Sequence, residues 1–220
     1  MRTVIFDLDG TLADTSGDLI AAANVCFCDL GLGDLLDPAT DAATAFRGGR
    51  AMLRLGFSRA GQGDEAEVER AFPRFLDHYG AHIDVHTQVY PGALEALEVL
   101  RQAGYALGVC TNKPEGLAET LLTRLGVRDL FGALIGADTL PTRKPDAAPY
   151  RAAVTRAGGI LAQSYLLGDT ETDRETARAA GVPSALVTFG PTGRGVEALA
   201  PEGLLDHYDD LAALTRRLIG

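Results

Sequence analysis

The chain is short of several things. Among its 20 basic residues only Lys113 and Lys144 are lysine, the rest being arginine. No run of basic residues occurs, and the net charge of −10 with a pI near 4.8 argues against nucleic acid or an anionic membrane as partner. An anionic ligand must therefore be met by local charge. No apolar stretch approaches the roughly eighteen residues of a membrane span, and no charged-then-apolar leader precedes the first strand-like run, so a cytoplasmic protein is expected. Cysteine is scarce and odd in number: Cys26, Cys28 and Cys110 lie inside apolar helix or strand patterns, which excludes a disulfide framework and predicts buried free thiols. Internal repeats and low-complexity tracts are absent. What remains is 46% hydrophobic over 220 residues, ample for one large domain or a domain with an insert.

The organising stretch is Val4-Ile5-Phe6-Asp7-Leu8-Asp9-Gly10-Thr11-Leu12. Thr3 to Phe6 is β-branched and aromatic without polar alternation, as suits a parallel strand covered on both faces. With a period of two, Asp7 and Asp9 leave that strand facing the same way. Two neighbouring carboxylates repel and raise each other's pKa unless a cation lies between them, which points to a dication, most simply Mg²⁺. The alternative is an Asp-Gly hairpin turn. Against it, Leu12 to Ser16 leads into an Ala- and Leu-rich helical pattern rather than a returning strand.

From Asp14 to about Val85 the chain reads as helices. Asp18 to Leu30 has helical spacing, Pro38 opens a short helix to Phe46, and Met52-Leu53-Leu55 forms another apolar stripe. Asp64 and Glu67 make a capping box for a further helix that Pro73 is expected to kink or divide. Arg47-Gly48-Gly49-Arg50 is either a solvated loop or a turn reaching a substrate anion. His78, His82 and His86 fall at i, i+4 and i+8, a spacing that on one helix would suit zinc. Gly80, the loop that follows and the lack of a nearby general base favour a partly exposed helix end instead.

After this block helices and strands alternate. Strands are expected at Tyr105 to Cys110, Ala133 to Gly136, Ser164 to Leu167 and Ser184 to Phe189, with single helices between them and a last helix over Asp209 to Leu218. Single-helix connections mean right-handed crossovers and a parallel sheet. The expected fold class is α/β: a Rossmann-like doubly wound core, residues 1–14 and 86–220, with an inserted helical cap at 15–85. Such a sheet binds its ligand at the carboxyl ends of the strands. Asp7 and Asp9, Thr111 and Asn112, Lys144, and Asp169 with Asp173 gather there. Singly, Thr111 and Asp169 or Thr170 could be helix caps and Lys144 a loop lysine; together they form a cradle for a phosphoryl group, with carboxylates around Mg²⁺, a hydroxyl and an ammonium. One of the first two acids can attack phosphorus and the other can move the protons. Asp169 to Asp173 also imitates the start of a calcium loop, but Arg174 and Ala180 stand where that loop needs Gly and Glu.

Asp7-Leu8-Asp9-Gly10-Thr11, Thr111-Asn112, Lys144-Pro145, and Gly168-Asp169 with Asp173 resemble, in order and over the whole chain, the four motifs of the haloacid-dehalogenase-like phosphohydrolases. The resemblance implies that Asp7 is the nucleophile, Asp9 the acid and base, Thr111 and Lys144 phosphate binders, and Asp169 a Mg²⁺ ligand. It further implies a metal contact from the Asp9 carbonyl, a supporting role for Asp173, and a small helical cap. Gly10, Thr11, Asn112, Lys113 and Arg47 are the candidate substrate contacts, Lys113 doubling as a possible helix start. Within that superfamily Asp14-Thr15, Val89-Tyr90-Pro91-Gly92, Thr111-Asn112-Lys113-Pro114 and Gly168-Asp169-Thr170 resemble phosphoglycolate phosphatases. The implied partner is a small phosphorylated metabolite such as 2-phosphoglycolate, bound by a monomer or homodimer. A sugar phosphomutase, a dehalogenase and a non-catalytic phosphate-binding module are the alternatives.

Overall fold

A computed structural model describes all residues, 1–220, and divides them into two compact units: Met1–Ala13 with Val89–Gly220, and Asp14–Gln88. The first unit holds a six-stranded sheet. Strand β1 (Thr3–Phe6) lies at its centre, parallel both to β4 (Ala106–Cys110) and to β6 (Ser164–Gly168). Thr3 is in register with Ala106 on one side and Ser164 on the other, so all three strands end at one level. Outside them lie β5 (Ala133–Ile135) next to β4, and β7 (Ser184–Val187) next to β6. An edge strand β8 (Gly203–Leu205) completes the parallel set. That sixth strand was not expected from the sequence, because three residues carry too little pattern to stand out. Two short segments, β2 (Ala13–Asp14) and β3 (Gln88–Val89), pair as a separate two-stranded sheet.

Every residue of β1 is buried, as its unbroken apolar run requires. Helices α7 (Ala147–Arg156) and α8 (Glu171–Ala180) cover one face, where Tyr150, Ala153, Val154 and Ala177 meet Ile5, Cys110, Ile135 and Leu166. Helices α5 (Ala93–Gln102) and α9 (Leu211–Ile219) pack together on the other face, and α6 (Glu115–Arg124) flanks β5. The connections β4–α6–β5 and β6–α8–β7 are the crossovers expected of a doubly wound sheet.

The second unit contains α1 (Ser16–Asp29), α2 (Pro38–Ala45), α3 (Gly49–Arg59) and α4 (Glu65–Ala81). Phe27 and Phe57 meet edge to face at 5.3 Å, and a Cβ on Gly56 would stand 2.1 Å from the Phe27 ring, so α3 needs glycine there. Asp18 ties off the far end of the unit, accepting from the Thr87 hydroxyl and from the backbone N–H groups of His86 and Thr87 at 2.8–2.9 Å. Two expectations fail in this unit. Helix α4 runs unbroken through Pro73, because its stripe of Val68, Phe75 and Tyr79 is buried and Phe72, Phe75 and Tyr79 stack along it. Cys28 is exposed rather than buried. The histidines do not share a helix face: α4 ends at Ala81, His82 caps it through His78 O, His78 lies 3.4 Å from Asp29, and His86 lies beyond the helix.

Candidate active site

The chain leaves β1 into a tight turn. Leu8 O accepts from the N–H groups of Thr11, Leu12 and Ala13, and Gly10 takes φ +77°, a conformation that favours glycine. This closed turn replaces the hairpin alternative. Its first acid is anchored at both ends: Asp7 N–H donates to Leu167 O of β6 at 2.8 Å, and Asp7 Oδ1 accepts from Leu8 N–H at 2.7 Å.

β6 supplies the second acid. A Cβ on Gly168 would lie 2.3 Å from Asp173 Cγ, so only glycine lets the Asp173 side chain fold back over the strand end. There Asp173 caps its own helix, with Oδ2 accepting from Asp169 N–H, Thr170 N–H and Thr170 Oγ1 at 3.2, 3.1 and 2.7 Å. The other oxygen, Oδ1, takes the Lys144 ammonium at 2.6 Å, and Lys144 Nζ is also 3.1 Å from Asp7 Oδ2.

Asp7, Asp169 and Asp173, all buried, thus bring one carboxylate oxygen each within 4.8 Å of one another. Three acids face one ammonium. Burial pushes the Asp7 carboxyl up to about 7 against the pull of Lys144, with Asp173 and Asp9 adding to the rise. Asp169 is raised by the same burial and by Asp173 and Asp7. Burial alone would lower Lys144, but Asp173 and Asp7 more than reverse it and hold it protonated. Asp169 Oδ1 accepts from Thr11 Oγ1 at 2.9 Å, whereas Asp169 Oδ2 is buried with no hydrogen-bond partner. An orphaned buried carboxylate oxygen, beside two more acids and a surplus of negative charge, fits a hard divalent cation with oxygen ligands.

The expected pairing of the Asp7 and Asp9 carboxylates around one cation is corrected. β1 ends at Phe6, before the acids, so strand alternation does not govern them. Asp9 turns to Lys113 instead, with Nζ 2.8 Å from Oδ1. All three polar groups of Thr11 are occupied as well: its N–H by Leu8 O, its hydroxyl by Asp169 and its carbonyl by the Tyr208 hydroxyl. The expected substrate contact at Thr11 is therefore a contact within the acid cluster. Thr111 is buried at the end of β4 and its Oγ1 accepts from Lys113 N–H at 3.2 Å. Asn112 is exposed and donates to Lys144 O at 3.0 Å. Arg47 lies exposed at the end of α2, in the helical unit.

Sequence reasoning missed two neighbours of the cluster. A Cβ on Gly190, just after β7, would sit 3.1 Å from Gly10 O and 3.3 Å from Asp169 Cβ. Tyr208, near the C-terminus, holds the Thr11 carbonyl. Neither stands in a local pattern that marks it.

The family model for haloacid dehalogenase-like hydrolases matches residues 4–187. The chain belongs to that family. Among the relatives of this haloacid dehalogenase-like hydrolase is the phosphoglycolate phosphatase of Agrobacterium fabrum, 40% identical over 216 residues that cover 97% of this chain and 91% of the relative. The phosphoglycolate phosphatase of Cereibacter sphaeroides is 40% identical over 225 positions that cover both chains fully. A crystal structure described as a predicted phosphoglycolate phosphatase from Haemophilus somnus superposes with a TM-score of 0.86 at 26% identity, covering 98% of each chain.

Proposed function

We propose that this chain is a Mg²⁺-dependent phosphatase acting on a small phosphate monoester, with 2-phosphoglycolate as its leading substrate. The observation that carries the reading is the convergence of Asp7, Asp169 and Asp173 on one buried point where Asp169 Oδ2 lacks a partner. The names of the relatives with 40% identity over the full chain support the choice of substrate.

Asp7 and Asp169, with the Asp9 carbonyl, would hold Mg²⁺, and Asp173 would support them from behind. When bound, the ion neutralises charge on the phosphoryl oxygens. A carboxylate oxygen of Asp7 attacks phosphorus while the ester P–O bond breaks, and Asp9 gives its proton to the departing alkoxide. Water then attacks the phosphoaspartate, Asp9 accepts the proton, and the Asp7 carboxylate leaves. The net change is ester plus water to alcohol plus phosphate. Lys144, 3.1 Å from Asp7, would keep it aligned and offer positive charge to the phosphoryl group, and Thr111 is assigned the part of hydroxyl donor. Phosphoryl transfer depends mostly on alignment and neutralisation, which fixed buried groups supply.

Release of inorganic phosphate from 2-phosphoglycolate and other small phosphate esters, with Mg²⁺ and with EDTA, tests the reading. Mg²⁺-dependent release that Asp7→Asn abolishes is expected, whereas an isomerised sugar phosphate without free phosphate would replace it with a mutase. The helical unit is assigned the part of a cap, and Arg47 that of a contact to the substrate's second anionic group. Arg47→Ala is then expected to raise KM with little change in kcat.

A further inference from the structure

Tyr208 sits in a short turn (Tyr208–Asp210) between β8 and α9, beyond the residues 4–187 that define the family match. It is 1% exposed, and its hydroxyl donates to the Thr11 carbonyl at 2.7 Å. Its ring is not free to drift. Phe189 packs against it at 5.5 Å, and Tyr90 packs against Phe189 at 4.9 Å. Tyr90 is itself tied to the same turn through its N–H, which donates to Leu12 O at 3.1 Å. Three aromatic rings from three separate stretches therefore brace one loop of the first unit, the loop that follows Asp7.

That loop controls the oxygen on which a cation would depend. Asp169 has two oxygens, and Thr11 Oγ1 takes one of them at 2.9 Å, leaving Oδ2 buried and without a partner. A donor on one oxygen fixes the plane of a carboxylate and decides which lone pairs face the site, the way ligand-orienting groups set metal affinity. Thr11 can do this only while its backbone is held. The Tyr208 hydroxyl is the group that holds it at the carbonyl, and loss of that hydroxyl leaves a buried carbonyl unsatisfied and removes the tie on the carbonyl side of Thr11, which the bond from its N–H to Leu8 O does not supply.

We propose that Tyr208 is a positioning residue for the divalent cation, acting through the Thr11 carbonyl and hydroxyl to present Asp169 Oδ2 to the metal. The inference rests on the phosphatase reading for the identity of the ion, and concerns affinity for it rather than the chemical step. It gives the C-terminal segment a share in the metal centre that the four ordered motifs do not contain.

The test uses the full chain stripped of metal and titrated calorimetrically with Mg²⁺. Tyr208→Phe keeps the ring and its packing and removes the hydroxyl alone. Its Mg²⁺ dissociation constant is expected to rise about tenfold, at the lower end of the ~10–100-fold typical of groups that orient metal ligands. Thr11→Val, which breaks the route one step nearer the ion, is expected to lose at least as much, and Thr11→Ser to retain nearly the wild-type affinity. The double variant Tyr208→Phe with Thr11→Val should lose little more than Thr11→Val alone, because both act along one route. A Tyr208→Phe protein that melts lower yet binds Mg²⁺ as tightly as wild type would overturn the inference and leave the phosphatase reading intact. Fully additive losses would overturn it too. A wild type that binds Mg²⁺ in this way but releases phosphate from no ester would sink the phosphatase reading and leave Tyr208 in its role.

Discussion

Lys113 Nζ lies 2.8 Å from Asp9 Oδ1, the lysine side chain 3% exposed and the aspartate 19%. Both lysines of the chain thus lie against acids of the β1 turn, Lys113 on Asp9 and Lys144 on Asp7. Lys113→Met keeps the stem and removes the cation, leaving Asp9 charged in a nearly closed site. The expected loss of stability is about 2 kcal/mol, below the ~3–5 kcal/mol for a fully buried pair because Asp9 still touches solvent. Phosphate release should fall by at least tenfold in kcat, since the proposed proton carrier loses the group that holds it in place; urea unfolding and steady-state kinetics measure the two effects separately.

Asp7→Asn should abolish turnover and, without Mg²⁺, strengthen the fold. Burial holds the folded Asp7 carboxyl near 7 against an ordinary value of 3.8, so the native state binds a proton that the unfolded chain has already released. Stability from this group is therefore undiminished below about pH 4 and declines as pH rises to about 7. Asparagine imitates the neutral acid at every pH. In EDTA the variant's advantage over wild type is expected to grow across that window, reaching at most roughly 4 kcal/mol. Denaturant titrations at pH 5 and pH 8 check this, and an advantage independent of pH would refute it.

Pro73 withholds an N–H from the middle of α4, yet the helix continues. Pro73→Ala is expected to restore that bond and remove ring crowding, raising stability by about 1–3 kcal/mol. A higher thermal midpoint with unchanged activity is the outcome to look for.

Cys28 is exposed, while Cys26 and Cys110 are buried, with burial pushing their thiols up to about 11 and about 12. A thiol reagent at pH 8 should modify one cysteine in the native protein and three after unfolding. Cys28 hydrogen-bonds to Asp34, which raises its pKa, so its labelling should quicken as pH increases.

Much of the core was legible because its signals are local. An unbroken apolar run names β1, glycines and prolines mark the helix ends, and acids at strand ends collect at one level once the strands are parallel. The Asp64–Glu67 box formed as its spacing requires. The failures are tertiary. Pro73 has a helix-breaking propensity that buried Phe75 and Tyr79 override, and the direction of the Asp9 side chain is set by Lys113, not by alternation. Tyr208 and Gly190 answer to a turn far away in the chain, and nothing in their immediate neighbours records that distant demand.

The central strand precedes both of its partners in the chain. Thr3 to Phe6 must wait for Ala106 to Val109 on one side and for Ser164 to Leu167 on the other. Asp7 consequently emerges well ahead of its partners and meets Asp169 and Asp173 only once the chain has been made past position 173. A nascent chain can assemble the proposed ion site only after Asp173 has been made, and a chain cut short before Asp169 carries Asp7 without the acids it meets.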